Sequence, residues 1–396
     1  PNASSGRTLA RSETPDLSAR RAPAMVPRRV TSPRPATTWR ALLWALVLFV
    51  GADVAVFRSG LYAYLAKPDS SGGWVTKCTL LAPPPRGADD VASVLLLGDS
   101  RIGEAIDEHT LRDLLGPPPV AVTQASLPGS SPRVWARLFD RLPQPAGGFS
   151  LVVLGLADYD DDSGHQDEQH RLQDLAFLGP TLGLAEAAPL AAELAHPDNP
   201  HAARDVWLAA VLKSFAWRRD VQDLLADPYA RYREVRRQFG RMHWGGRREG
   251  SPESLAGVHI ADGAIRGLPR DTEQERVLLR HQVFHEHDVD NAAYRRRWLG
   301  ELADRVLASG AELVLVRMPG QVLPRARPRV PATAVVDELA RRPGVHLLPY
   351  ELFAAAEAPE RFADALHVNR DGRSLCTRLL AETLRERFAA RLGRPR

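Results

Sequence analysis

Val91-Ala92-Ser93-Val94-Leu95-Leu96-Leu97, followed at once by Gly98-Asp99-Ser100, decides the fold of this 396-residue chain. Seven residues with no charge and no apolar–polar alternation read as a strand buried on both faces, the form a parallel strand takes between two layers of helix. Residues 102–115 read as a helix, 120–125 as a second short strand, 132–142 as a helix and 150–156 as a third strand. The pattern resumes at 291–309, where Tyr294, Trp298, Leu302 and Val306 recur four apart on one helical face and Gly310 supplies the stop. Residues 311–317 form a fourth strand, 331–341 a helix and 345–349 a fifth strand. A closing helix over 371–392 turns Leu375, Leu379, Leu384, Phe388 and Leu392 inward. Strands alternating with helices predict an α/β fold with a mainly parallel five-stranded sheet covered on both faces.

Residues 160–290 interrupt this alternation. Ala- and Leu-rich pieces at 172–195 and 202–225 read as helices and the Gly/Arg-rich stretch 240–270 as a loop, so the whole is predicted to be a helical insertion after the third strand. Loops at that end of a sheet are placed to cover a site. The insertion is expected to form a cap beside Ser100 with arginines on its rim, the alternative being an insertion packed away from the cleft and facing the membrane.

Upstream, residues 1–36 are rich in Pro, Ser, Arg and Ala, carry no apolar period and read as a disordered basic tail. Residues 37–65 contain an apolar run, 41–57, broken only by Gly51 and Asp53, with Trp39, Trp44, Tyr62 and Tyr64 at or near its ends. It falls slightly short of the ~20 residues a spanning helix needs. An uncleaved single-pass membrane anchor is the preferred reading, with a cleaved signal peptide and a buried soluble helix as alternatives. Arg7, Arg11, Arg20, Arg21, Arg28, Arg29, Arg34 and Arg40 precede the run, against Glu13 and Asp16. That asymmetry predicts a cytoplasmic N-terminus and a periplasmic or extracellular remainder. Residues 66–90 read as a tether and 91–396 as the folded domain.

The net charge of +4 is largely that tail, and no nucleic-acid motif accompanies it, so no nucleic-acid partner is expected. Only Lys67, Lys77 and Lys213 among the 52 basic residues are lysines, which is compositional bias. Cys78 and Cys376 are the only cysteines, which excludes a disulfide framework and a cysteine-based zinc site. One bridge is conceivable, and two inert buried thiols are preferred. His165, Asp167, Glu168 and His170 cluster in sequence, as do His281, His285, Glu286, His287 and Asp288. Neither group has the HExxH or finger spacing of a metal site. Both read as solvated loops, and no metal or cofactor is expected. Trp244 is read as packing back on the body in preference to stacking on a sugar ring.

The chemistry lies in two short motifs. Ser100 follows the first strand and opens a helix, beyond the carboxyl end of the sheet where ligands bind and where free N–H groups stabilise negative charge. Taken alone, Gly98-Asp99-Ser100 reads as a helix cap. Asp364-Ala365-Leu366-His367 lies in the loop before the last helix. A hydroxyl becomes a nucleophile when an imidazole takes its proton, and the imidazole works best with a carboxylate fixing its tautomer. Asp and His three apart in one turn can meet through Nδ1, leaving Nε2 for the serine.

Together the two motifs resemble the GDSL/SGNH hydrolase family, over residues 91–392 with the insertion set aside. The resemblance implies an SGNH-like three-layer sandwich with Ser100 as nucleophile, His367 as general base and Asp364 as its orienting partner. It also implies an oxyanion hole from the backbone N–H groups of Ser100 and of Gly129 in Ser126-Leu127-Pro128-Gly129. The family's Gly-x-Asn-Asp corresponds here to Gly155-Leu156-Ala157-Asp158, so Ala157 stands where an asparagine is expected. One missing side-chain donor can cost ~3 kcal/mol of transition-state stabilisation. Asp158 and Arg101 are candidate rim residues, with Arg101 read first as simply beginning its helix.

Arg101 after the serine, the N-terminal apolar run and the helix leading into Val314-Leu315-Val316-Arg317-Met318-Pro319-Gly320 resemble membrane-anchored SGNH proteins of cell-surface polysaccharide O-acylation. Some of those work beside a multi-spanning membrane acyltransferase. The function expected from the resemblance is an extracytoplasmic serine esterase or O-acyltransferase acting on cell-envelope carbohydrate through an acyl-serine. The alternatives are a simple carboxylester or carbohydrate-deacetylating hydrolase on the same residues, and a catalytically silent anchored scaffold that binds polysaccharide or an acylation partner.

Overall fold

The computed structural model describes residues 35–67, 69–81, 92–145, 148–159, 163–164, 167–239, 253–269, 272–284, 289–320, 322–323 and 334–393. The basic tail up to residue 34, His165, Trp244 and residues 285–288 lie outside the described residues. The chain divides into two units, one ending at Leu48 and one beginning at Phe49.

Five strands form the sheet: β1 (Ala92–Gly98), β2 (Val120–Ser126), β3 (Leu151–Leu156), β4 (Glu312–Arg317) and β5 (Val345–Leu347). Their order is β2-β1-β3-β4-β5, and every neighbouring pair is parallel. All seven residues of β1 are buried because the strand is central and both faces are covered. Leu95 and Leu97 face one core with Val152, Leu154, Leu313 and Leu315. Val94 and Leu96 face the other with Val153, Val314 and Val316. The period of two along each strand thus separates two cores. The first is closed by helices Pro132–Phe139 and Ala292–Ala308, the second by Glu108–Leu115 and Arg370–Arg387.

Three local readings change. The single helix expected over 102–115 is two, Ser100–Ala105 and Glu108–Leu115. Ile106 is extended and Asp107 caps the second helix by accepting from Thr110 N at 2.8 Å, and a capping aspartate ends one helix by starting another. The insertion's long helices are likewise broken, into Leu184–Leu194, Ala202–Val211, Lys213–Ala216, Arg218–Ala226 and Pro228–Phe239. Within the stretch expected as a loop, His259–Ala261 and Ala264–Arg266 pair as a hairpin, followed by helix Glu273–Phe284. The hairpin turns at Asp262-Gly263, both with positive φ, the backbone that Asp-Gly turns favour.

Among the described residues one helix, Trp39–Arg58 near the N-terminus, is long and apolar enough to cross a membrane. Its one acidic residue, Asp53, is buried, and its carboxylate accepts from Lys213 N at 3.2 Å and Ser214 N at 2.7 Å. Tyr62 and Ala66 then pack on Trp217, and Asp220 accepts from Tyr62 Oη at 2.6 Å and Lys67 N at 2.9 Å. Residues 71–76 are helical, with Val75 and Cys78 in the first core. The part of the expected tether up to Cys78 is therefore built into the body. Cys78 and Cys376 are free, buried and in different cores, so the bridge does not form. Burial pushes the Cys376 thiol up to about 12 and moves Cys78 the same way.

Candidate active site

Two glycines seat Ser100. Gly98 ends β1 with φ +147°, and a Cβ there would stand 2.8 Å from the Gly155 carbonyl oxygen and 3.0 Å from Ile102 Cγ2. A Cβ on Gly155, its partner on β3, would stand 2.7 Å from Ile102 Cβ. The absence of both side chains lets Ile102 sit on the strand ends, which sets the six-residue helix bearing Ser100 directly above the sheet. Asp99 caps that helix, its Oδ1 accepting from Arg101 N at 2.8 Å. Arg101 folds back on Asp99, with Nε 3.8 Å from Oδ2.

The next loop is tied to the first. Leu127 N donates to Gly98 O at 2.9 Å, and Ser130 N closes the turn on Leu127 O at 2.9 Å. Gly129 occupies that turn with φ +73°, a conformation that favours glycine. Ser100 N–H, at the first position of a helix, has no intrahelical acceptor.

His367 comes from the other end of the chain. Residues 361–369 form a turn closed by Ala363 N donating to His367 O at 2.8 Å and Asn369 N donating to Arg361 O at 2.8 Å. Asp364 Oδ1 accepts from Leu366 N and His367 N, each at 2.9 Å, so the Asp-x-x-His spacing makes its own cap. The carboxylate also meets His367 Nδ1 at 2.9 and 3.0 Å. On the far side of the ring, Nε2 lies 2.8 Å from Ser100 Oγ. With the carboxylate accepting at Nδ1, the ring proton belongs there, and Nε2 accepts from the serine hydroxyl. Burial acts to raise the Asp364 carboxyl, but the hydrogen bonds from the ring and from the two N–H groups leave it below its usual range. Asp364 is thus held as an anion.

Ser100, Asp364 and His367 are thus brought together, and Gly129 lies on the loop tied to Gly98. Ala157 and Asp158 follow β3, both half-buried, and Asp158 Oδ1 accepts from Tyr159 N at 2.6 Å. Position 157 offers no side-chain donor. A crevice lined by Ser70, Gly72, Leu172, Trp217 and Asp220 contains none of these residues.

Sequence reasoning did not single out the residues that frame the site. Arg171 Nη2 donates to Gly129 O at 2.8 Å and to Gln173 Oε1 at 2.6 Å. Gln282 Nε2 donates to Ala365 O at 2.9 Å, and Asn369 Nδ2 to Glu253 O at 3.2 Å. The two ends of the insertion therefore hold the two loops of the site. Its middle does not: Glu193 pairs with Arg137 at 2.9 Å, Lys213 N donates to Asp53 within the apolar helix, and Asp220 accepts from Lys67 N in the segment after it. The single cap expected is two arms beside the site and a helical body packed elsewhere. Behind the first arm, buried Arg133 reaches Asp174 at 2.8 Å and the carbonyl of Gln169 at 3.0 Å, while Ser131 donates to Asp174 at 2.8 Å. An arginine buried in a helix has no periodic signature, so nothing in the sequence announced it.

Compared with known proteins, the chain matches no family model, no curated protein and no solved structure.

Proposed function

We propose that this chain is a serine-dependent esterase or O-acyltransferase of SGNH type, held at a membrane by the helix Trp39–Arg58 and acting on cell-envelope carbohydrate. The observation that carries the reading is the continuous relay from Asp364 through His367 to Ser100, with 2.9 Å and 2.8 Å at its two joints. Ser100 Oγ attacks an ester carbonyl as its proton passes to His367 Nε2, and Asp364 stabilises the imidazolium that forms. The N–H groups of Ser100 and Gly129 receive the oxyanion. Collapse breaks the ester C–O bond, the departing alcohol takes the proton from His367, and an acyl-serine remains. Water or a carbohydrate hydroxyl then attacks the acyl carbon, giving up its proton to His367, and Ser100 is released with that proton. A multi-spanning membrane acyltransferase is the kind of partner that would load such a serine.

The test is labelling with a fluorophosphonate, which reacts with an activated serine. Labelling at Ser100 that disappears in Ser100→Ala supports the enzyme. An unlabelled but folded wild type supports the second reading, an anchored scaffold that binds polysaccharide or an acylation partner, which the alanine at position 157 favours. A reporter fused after Leu392 that is active only in the cytoplasm overturns the extracytoplasmic placement.

A further inference from the structure

Asp167 and His170 repeat the spacing of Asp364 and His367, with Asp167 Oδ2 2.8 Å from His170 Nδ1. Their neighbour is a second imidazole. The ring of His196, two residues past helix Leu184–Leu194, lies 4.3 Å from that of His170, centroid to centroid. One ligand atom from each of the three residues lies within 4.8 Å of the other two. Two imidazoles this close repel when both are protonated, whereas a single cation between them can take the place of those protons.

The surroundings suit that exchange. The backbone that presents Asp167 and His170 is pinned from beneath: Arg133 Nη1 donates to Gln169 O at 3.0 Å, and Glu168 N donates to Asn291 Oδ1 at 3.0 Å. Tetrahedral zinc with bonds of ~2.1 Å sets its ligand atoms about 3.4 Å apart, so closure from 4.8 Å is within reach of side-chain rotation. Asp198 stands behind His196, its Oδ2 3.5 Å from Nδ1. As it stands, Asp198 N–H donates to that nitrogen at 3.3 Å. Ligation through Nε2 would move the ring proton to Nδ1, toward the carboxylate, the arrangement that orients a metal-binding histidine.

We propose that Asp167, His170 and His196 form a binding site for a divalent transition ion of the zinc class, with its fourth position open to water. Two imidazoles select against magnesium and calcium, which take oxygen donors. The side chains are between 25% and 44% exposed, enough for an ion to enter. Bound there, it staples the first arm of the insertion to the end of helix Leu184–Leu194. Arg171, the next residue along that arm, is the one that grips Gly129. The site does not depend on Ser100 chemistry.

The experiment uses the full chain in detergent, stripped with a chelator and dialysed against zinc. The expected result is one zinc per chain, a higher thermal midpoint with zinc than without, and a tetrahedral spectrum when cobalt replaces zinc. His170→Ala and His196→Ala should each weaken binding at least tenfold, and Asp198→Asn by roughly tenfold, as for a residue that orients a ligand. Where an alanine variant does not fold, His196→Gln takes its place. Absence of bound zinc in the wild type, or full zinc affinity in the His170→Ala/His196→Ala double variant, overturns the proposal. Both outcomes are read from metal content, so loss of Ser100 labelling neither mimics nor hides them.

Discussion

Gln282 Nε2 donates to the Ala365 carbonyl at 2.9 Å, so a helix of the insertion grips the turn between Asp364 and His367. The bond bears on the aim of the imidazole more than on the fold. Gln282→Leu should therefore lower ester turnover about fivefold, the size of one ~1 kcal/mol hydrogen bond, while the thermal midpoint stays put. A steady-state assay with a small acetyl ester, paired with a melting curve, checks this. Equal losses of stability and turnover would make Gln282 a folding residue instead.

Asp364→Asn keeps the shape of the turn but offers His367 an amide in place of a carboxylate. The imidazole then loses its orienting anion, and the rate should fall by roughly 10³–10⁴, as in serine triads generally. The fluorophosphonate labelling rate of Ser100 should fall with it. A loss smaller than tenfold would detach Asp364 from the chemistry.

Glu108 predicts a pH dependence of stability. Burial, and then the charge of Asp107, push its carboxyl up to about 7 from an ordinary value of 4.5. Between those two pH values the folded chain keeps a proton that the unfolded chain releases. Stability should therefore fall as pH rises from 4.5 to 7 and level off above. Glu108→Gln removes the charge and should flatten that slope, gaining at most about 3 kcal/mol at pH 8. Urea unfolding of both proteins at pH 5 and pH 8 measures it, and parallel pH profiles would discard the idea.

Asp53 caps the short helix Lys213–Ala216 from outside, through the N–H groups of Lys213 and Ser214. Asp53→Leu makes the apolar helix more apolar yet removes that cap, at a cost of about 1–2 kcal/mol. The expected result is a lower thermal midpoint in detergent and faster proteolysis near residue 212. A leucine variant as stable as the wild type would mean that the acid serves no structural end.

Local chemistry carried much of this protein. Apolar runs with no alternation marked β1, β3 and β4 because strands buried on both faces need no polar side. Asp364 and His367 were legible because three residues in one turn bring a carboxylate to an imidazole whatever surrounds them. Gly98 and Gly155 were visible as letters, and only the assembled sheet shows that Ile102 fills the space their side chains would take. The Asp262-Gly263 hairpin was also written locally, in an Asp-Gly turn between short apolar pairs, but the surrounding glycines and arginines obscured it. What the tertiary structure alone decided are the meetings across long separations. Ser100 meets His367 across 267 residues, and Asp53 meets Ser214 across 161. His196 stands against His170, and Arg133 lies buried beneath the arm that bears it. Spacing along a chain reports which side chains share one turn or one face of an element. Which elements then meet depends on how every apolar face is buried at once, and no window of sequence contains that.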